Sequence, residues 1–266
     1  MNNSNEKIKS PNPSRVAGDG LRRIDINCDM GEGMANDAVI MPFISSANIA
    51  CGYHAGDEEL MQKTIELAAD NGVALGAHPS FFDKKNFGRT EIDLSAAEIY
   101  ELIIQQLTTI NIVIKRNHLR LHHVKPHGAL YNMSAKDPLI ANAIARAVRD
   151  FDKRLVLFGL SGSHSVEESA AIGLKTAAEA FADRKYQDDG SLVPRSQSNA
   201  LIEDVEQSVL QVLQMIREKT VTSVNGKSVP VMADTICIHG DGQYAAEFAR
   251  KIFQTLKENN IELKPV

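Results

Sequence analysis

Short apolar runs alternate along the chain with longer segments in which apolar residues recur at every third or fourth position. The short runs predict β-strands, and the longer segments predict amphipathic helices. A strand that alternates with a helix along a whole chain is typical of an α/β fold with a parallel sheet. Strands are predicted at 24–27, 47–51, 73–77, 121–124, 155–160, 175–179 and 235–238, with a short terminal strand at 261–263.

The pattern also predicts how the chain divides. Residues 1–23 are polar and contain Pro11, Pro13, Gly18 and Gly20, so we predict a disordered tail there. From Ile24 to the C-terminus the alternation continues without a change of composition, which predicts a single domain over 24–266. Asn225-Gly226 predicts a hairpin turn that decorates this domain.

Clusters of glycine and polar residues follow the predicted strands directly. In an open, doubly wound sheet only the loops beside the switch point meet, whereas in a closed barrel every such loop lies at the same mouth. Six clusters at six strand ends therefore favour a single TIM-like (β/α) barrel of seven or eight strands. The clusters are at 27–33, 51–57, 76–79, 125–128, 179–184 and 239–242.

Composition narrows the possible functions. The chain has 29 Lys and Arg against 34 Asp and Glu, a net charge of −5, so we expect no nucleic-acid partner. We find no apolar run of roughly 18 residues and no signal-peptide pattern, so we expect a cytoplasmic protein without a membrane partner. Three widely spaced cysteines indicate reduced thiols. The phosphate-binding pattern G-x-x-x-x-G-K-[ST] does not occur in the chain.

The candidate chemistry lies at the strand ends. A lone histidine is usually structural, but His54, His78, His127 and His239 all lie at strand ends near glycine or proline, which favours function. Carboxylates at a barrel mouth orient water or hold a metal ion, and aspartates at such positions also cap helices. Lys125 is either an exposed charge or an oxyanion contact. The carboxylate candidates are Asp29, Glu32, Asp57 and Asp241.

The chain contains seven long strings of unusual residues, at 25–32, 46–57, 76–80, 87–89, 124–132, 179–184 and 237–241. Together these strings resemble the LamB/YcsF family, which includes the A component of prokaryotic ATP-dependent 5-oxoprolinases. The resemblance implies a barrel akin to those of polysaccharide deacetylases. It also implies hydrolysis of 5-oxo-L-proline to L-glutamate, coupled to ATP cleavage, together with 5-oxoprolinase subunits B and C.

A five-membered lactam is an unreactive amide, so its opening needs an activated carbonyl oxygen or an activated water. In our hypothesis Asp29, His54 or His78 acts as the general base on water, and Lys125 and His127 stabilise the oxyanion. Arg184 or Arg195 would bind a carboxylate or phosphate. ATP would be bound mainly by the partner subunits, because this chain lacks the phosphate-binding pattern. Further substrate contacts are expected from Asn27, Glu32, Asp57, Glu179, His239 and Asp241.

Two alternatives remain open at this stage. The first is a deacetylase or amidohydrolase that uses a divalent metal held by Asp29, His54, His78 and Asp241. The second is a non-catalytic protein that binds a small carbohydrate or lactam and presents it to a partner.

Overall fold

The computed structural model describes residues 22–240 and 244–266. The first strand begins at Arg22, two residues before the predicted start, and the rest of the predicted tail lies outside the described residues. The strands are β1 Arg22–Met30, β2 Ser46–Ala50, β3 Ala74–His78, β4 Leu121–Val124, β5 Val156–Leu160, β6 Lys175–Phe181, β7 Thr220–Thr222, β8 Ser228–Pro230, β9 Thr235–Ile238 and β10 Ile261–Leu263.

Seven of these strands form a closed parallel barrel. Each of β1 to β5 pairs with the next strand in sequence, β6 pairs with β9, and β9 pairs with β1 to close the ring. The predicted barrel is therefore confirmed, with seven strands. β10 pairs only with the first three residues of β1, outside the closed ring. β7 and β8 form the predicted antiparallel hairpin around Gly226.

Helices connect the strands and cover the outside of the barrel. Local capping explains where two of them begin: Ser95 and Glu98 form a capping box before α3, and Asp137 caps α5 ahead of Pro138. No helix among the described residues is long and apolar enough to cross a bilayer. The helices are α1 Asp37–Ile40, α2 Glu58–Asp70, α3 Ala96–Arg116, α4 Gly128–Lys136, α5 Pro138–Phe151, α6 His164–Ala171, α7 Val205–Glu218 and α8 Ala245–Glu258.

The residues of β1 alternate between two environments. Ile24, Ile26, Cys28 and Met30 belong to the apolar core between barrel and helices. The residues between them are polar and form hydrogen bonds to other strands inside the barrel. Because side chains alternate across a strand, one face of β1 stabilises the helical layer and the other carries polar groups up to the mouth.

The polar interior begins at Asp25, far below the mouth. Its carboxylate accepts hydrogen bonds from Ser46 at 2.8 Å, from Thr235 at 2.6 Å and from Ser45. Burial raises the pKa of Asp25 to about 6, because the three hydroxyl donors only partly offset the loss of water.

A second polar layer lies above Asp25. The Asn48 amide donates to Asn27 Oδ1 at 2.8 Å and to Asp29 Oδ1 at 2.9 Å, while its own oxygen lies 2.9 Å from His123 Nε2. The His123 ring fits only because residue 76 is glycine, since a Cβ there would lie 2.0 Å from His123 Nε2. These hydrogen bonds set the positions of the side chains at the mouth.

Candidate active site

A cavity of about 700 Å³ opens at the carboxyl ends of the barrel strands. The loops that follow β1, β3, β4, β6 and β9 contribute to its wall, as expected for a barrel whose strands all end at one mouth. Eight residues singled out from the sequence line it: Asp29, Glu32, His78, Lys125, His127, Arg184, Arg195 and His239.

Four of the predicted residues form a compact group on one side of the cavity. We call Glu32, His54, His78 and His127 the imidazole cluster. Glu32 Oε1 lies 2.9 Å from His54 Nε2, 3.5 Å from His127 Nδ1 and 3.9 Å from His78 Nε2. His127 Nδ1 lies 2.9 Å from His78 Nε2. One atom from each of the four residues thus lies within 4.8 Å of the other three.

The outer nitrogens of two of these rings bind the backbone. His78 Nδ1 donates to the carbonyl oxygen of Lys125 at 2.7 Å, and His127 Nε2 donates to that of Phe87 at 2.9 Å. Phe87 adopts a left-handed backbone conformation, with φ 56°. Because a carbonyl oxygen only accepts, His127 Nε2 already uses its hydrogen in this contact. It is therefore not free to donate to an oxyanion, which is the role that our sequence hypothesis gave to His127.

The third ring is held through a side chain. His54 Nδ1 lies 2.9 Å from Ser80 Oγ, and the Ser80 hydroxyl donates its own hydrogen to Phe81 O at 2.9 Å. Gln106 fixes Ser80 by accepting from its backbone N–H at 3.0 Å and donating to its carbonyl at 2.8 Å. His54 is buried and is not part of the cavity lining.

Burial disfavours charge on two of these rings. Burial, together with the neighbouring His78, lowers the pKa of His54 to about 3 and that of His127 to about 2. Both imidazoles are therefore neutral near pH 7, with one nitrogen in each ring that carries an electron pair.

Lys125 lies at the centre of the mouth among acceptors. Its ammonium is 3.0 Å from Asp29 Oδ1, 2.8 Å from Glu179 Oε1, 3.1 Å from Asn27 Oδ1 and 3.2 Å from Cys237 Sγ. Burial lowers the pKa of Lys125, but the two carboxylates raise it well above its usual value. The ammonium donates to Asn27, Asp29 and Cys237 Sγ and forms an ion pair with Glu179, so Lys125 neutralises its neighbours rather than offering a free donor to an oxyanion.

Asp29 is the ionised carboxylate of the cavity wall. Burial raises the pKa of Asp29, but the charges of His78 and Lys125 hold it well below its usual value. Asp29 Oδ2 lies 3.2 Å from His78 Nε2. This oxygen faces the imidazole cluster while Oδ1 accepts from Asn48 and Lys125.

The loops after β6 and β9 carry a second histidine–carboxylate pair. His239 Nδ1 lies 2.8 Å from both carboxylate oxygens of Asp183, and the His239 ring stacks on Phe181. Burial raises the pKa of Asp183, yet His239 brings it below its usual value. Asp183 therefore orients the His239 ring, a role that the sequence did not assign, although Asp183 lies in the 179–184 string.

Two arginines accompany this pair. Arg184 is buried, and its Nη2 donates to the Val193 carbonyl at 2.6 Å. Burial and the nearby Arg195 lower the pKa of Arg184 to about 10, so it stays cationic near pH 7. Arg195 is exposed at the cavity wall. This side of the cavity is therefore suited to an anionic group.

The structure places other predicted residues outside the cavity. Asn27 and Glu179 lie inside the barrel and do not line the cavity, because both contact Lys125 from below. Asp57 is exposed and caps α2 by accepting from the Leu60 backbone N–H at 2.8 Å. Asp241 lies outside the described residues. Sequence reasoning missed Asp183, and also Ser80 and Phe87, which position the cluster.

All three cysteines are buried and unpaired: Cys28, Cys51 and Cys237. Burial raises the pKa of the Cys51 thiol to about 12 and raises the pKa of the other two well above the usual value. These are properties of structural thiols rather than of nucleophiles.

Several known proteins are similar to this chain over most of its length. The A component of a 5-oxoprolinase from Tolumonas auensis is 52% identical over 249 residues, which cover 92% of this chain and 99% of that protein. The same component from Staphylococcus haemolyticus is 50% identical over 247 residues, covering 91% and 99%. A lactam utilization protein from Thermus thermophilus superposes with a TM-score of 0.87 at 40% identity, covering 92% of this chain and all of that one.

The match to a family extends over the whole barrel. Residues 24–266 match the LamB/YcsF family, a range that contains all of the strings that resemble it. The relatives are matched almost from end to end, so the similarity is not confined to the loops at the mouth. The chain therefore belongs to the LamB/YcsF family.

Proposed function

We propose that this chain is the lactam-opening component of an ATP-dependent 5-oxoprolinase, which hydrolyses 5-oxo-L-proline to L-glutamate. The observation that carries the proposal is the polarity of the cavity. One part of its wall holds the ionised Asp29 beside the imidazole cluster, and the part after β6 and β9 holds Arg184, Arg195 and His239. The names of the related proteins support this choice of substrate.

The polarity fits a small lactam that carries a carboxylate. The carboxylate would bind to Arg195 and the buried Arg184, because guanidinium groups bind carboxylates through paired hydrogen bonds. The lactam carbonyl would then point toward Asp29 and the imidazole cluster. The cavity of about 700 Å³ is larger than this small ring needs, which leaves room for a phosphoryl group on the lactam oxygen.

ATP would overcome the low reactivity of the amide by activating its carbonyl oxygen. Transfer of the γ-phosphoryl group to the lactam oxygen gives an imidate phosphate and ADP. A water then attacks C5, the ring C–N bond breaks as nitrogen takes a proton, and γ-glutamyl phosphate forms. A second water hydrolyses this acyl phosphate to glutamate and phosphate. We assign the phosphoryl transfer to the partner subunits B and C, because this chain lacks the G-x-x-x-x-G-K-[ST] pattern.

Asp29 is the best candidate for the general base. It lines the cavity and is ionised, whereas His54 is buried behind it and the outer nitrogen of His78 is bound to a carbonyl. Lys125 and Asn48 fix one oxygen of Asp29 and leave the other directed toward the cluster. His239, oriented by Asp183, follows β9, the strand beside β1, and lines the same cavity, where it can donate a proton to the leaving ring nitrogen. The complex would work in the cytoplasm, where ATP is available.

The proposal is tested in the complex assembled from this chain and subunits B and C. The assay follows ATP hydrolysis and glutamate formation that depend on 5-oxo-L-proline. Asp29→Asn keeps the shape of the side chain and removes the base, so we expect turnover to fall about 10²–10⁴-fold. His54→Ala should also abolish glutamate formation.

Asp57→Asn is the matched control. It makes the same chemical change at an exposed aspartate, and asparagine still caps a helix, so turnover should stay at the wild-type level. Wild-type turnover in folded Asp29→Asn would refute the catalytic role. If both Asp29→Asn and Arg195→Ala still bind the lactam and support full turnover, the chain only presents the lactam and the chemistry lies on its partners.

A further inference from the structure

The protonation of the imidazole cluster follows from its outer contacts. His78 Nδ1 and His127 Nε2 face carbonyl oxygens, which only accept, so each carries the hydrogen of its ring. His54 Nδ1 faces Ser80 Oγ, whose hydrogen goes to Phe81, so His54 Nδ1 is also the donor. The other nitrogen of each ring is therefore the one that is directed into the cluster.

These three nitrogens converge. They are His54 Nε2, His78 Nε2 and His127 Nδ1, and they surround Glu32 Oε1 with separations down to 2.9 Å. Nitrogen and oxygen atoms packed this closely need a positive centre among them, either a proton or a metal ion. One proton can link only two of these atoms, whereas a cation between them bonds to all four.

We propose that the imidazole cluster binds one divalent transition-metal ion of the zinc type, with Glu32, His54, His78 and His127 as its ligands. Three imidazole nitrogens and one carboxylate oxygen are a zinc donor set, whereas Mg²⁺ and Ca²⁺ take oxygen ligands. The outer contacts also fit, because a histidine that binds a metal usually donates its other N–H to a carbonyl or a similar acceptor.

This ligand set differs from the one that the sequence suggested. Glu32 and His127 take the places of Asp29 and Asp241. Asp29 is turned toward Lys125 and Asn48, and its second oxygen lies 3.2 Å from His78 Nε2, beside the cluster. An aspartate next to the metal ligands is well placed to accept a proton from a water at the site.

The cluster is open toward the substrate. Glu32, His78 and His127 line the cavity, while His54 closes the site from behind. With four protein ligands, a water or a carbonyl oxygen would have to be an additional ligand on the cavity side, and the ion would supply Lewis acidity to it. This catalytic role rests on the proposed function, but binding of the ion does not.

The test uses the full chain alone, without substrate. After the chain is loaded with one equivalent of Zn²⁺ and dialysed against metal-free buffer, we expect mass spectrometry to find one zinc per chain. Co²⁺ in its place should give the visible ligand-field absorption of a site with nitrogen and oxygen ligands. His54→Ala and His127→Ala should weaken Zn²⁺ binding by about 100-fold or more, and Ser80→Ala by about 10-fold.

His239→Ala is the matched control, because it removes a histidine from the same cavity without touching the cluster. It should bind Zn²⁺ as the wild type does. If an alanine variant fails to fold, Glu32→Gln keeps the shape of the ligand and should show the same loss. Zinc that dialyses away from the wild type, or that remains at full stoichiometry in folded His54→Ala and Glu32→Gln, would overturn the proposal.

The two proposals can fail separately. Stoichiometric zinc on a chain that gives no lactam-dependent turnover with its partners would leave the metal site standing and refute the proposed function. Full turnover in a chelator-treated complex that contains no zinc would overturn the catalytic role of the metal and leave the function.

Discussion

Asp25 is expected to make the stability of the barrel depend on pH. Burial raises the pKa of Asp25 from its usual value of 3.8 to about 6; its three hydroxyl donors counteract this rise, and the nearby Glu179 adds to it. Each pH unit corresponds to about 1.4 kcal/mol, so the ionised form costs the folded state about 3 kcal/mol near neutral pH.

The direction follows from proton binding. Between about pH 4 and pH 6 the folded chain holds the Asp25 proton while the unfolded chain has lost it. The free energy of unfolding from this group therefore falls as the pH rises through that window and levels off above it. Asp25→Asn removes the titration but keeps the shape and an oxygen acceptor for Ser45 and Ser46.

Urea unfolding of both proteins, followed by circular dichroism at about pH 4 and about pH 7.5, tests the reasoning. Relative to wild type, the asparagine variant should gain about 3 kcal/mol between the two pH values. Asp70→Asn, at the exposed end of α2, controls for the loss of one carboxyl group. A difference between Asp25→Asn and wild type that stays constant to within about 1 kcal/mol would refute the raised pKa.

Three further predictions concern other parts of the fold. Asp57→Ala removes the α2 cap and should cost about 1 kcal/mol of stability in urea unfolding while lactam-dependent turnover persists; a loss of turnover in the folded variant would contradict its placement outside the cavity. Gly76→Ala pushes a Cβ against the His123 ring and should cost about 3 kcal/mol or more, so an unchanged melting temperature would be inconsistent with the interior packing. The buried thiols, Cys51 among them, should react with a thiol reagent only as fast as the chain unfolds, and rapid labelling of the native protein would argue against their burial.

The sequence predicted the elements whose apolar residues are periodic. The ends of β4 and β9 agree with the predicted ones, and the hairpin at Gly226 was recognised from its turn residues. α4 was not predicted, because its buried residues Ala129, Leu130 and Tyr131 are consecutive and give no helical spacing. Tertiary packing, rather than local periodicity, fixes that helix.

The sequence predicted where in the fold the candidate site lies, but not which side chains reach the cavity. Barrel closure brings together every loop that follows a strand, so His78, His127 and His239 could be expected at one mouth. The direction in which each side chain points could not be predicted from the sequence. Asn27 and Glu179 point into the barrel below the cavity, and this depends on the register of neighbouring strands, which is a long-range property of the fold.

Ser80 and Phe87 were missed for a related reason. Each contributes an oxygen, from a hydroxyl or a backbone carbonyl, that any polar loop could supply, so residue type carries no signal. Only the path of the loop after β3, including the left-handed turn at Phe87, brings those oxygens to the outer edges of the rings.

The connection from β6 to β9 carries residues of the cavity that are separate in sequence from the imidazole cluster. The imidazole cluster lies on the end of β3 and on the loops after β1, β2 and β4, whereas Arg184, Arg195 and other residues of the cavity wall belong to this single long connection, which contributes no strand to the closed ring. Substrate range can therefore diverge through insertions and substitutions in one segment while the reactive centre stays constant. For protein engineering, grafting this segment between relatives is the direct way to exchange the ligand without rebuilding the barrel.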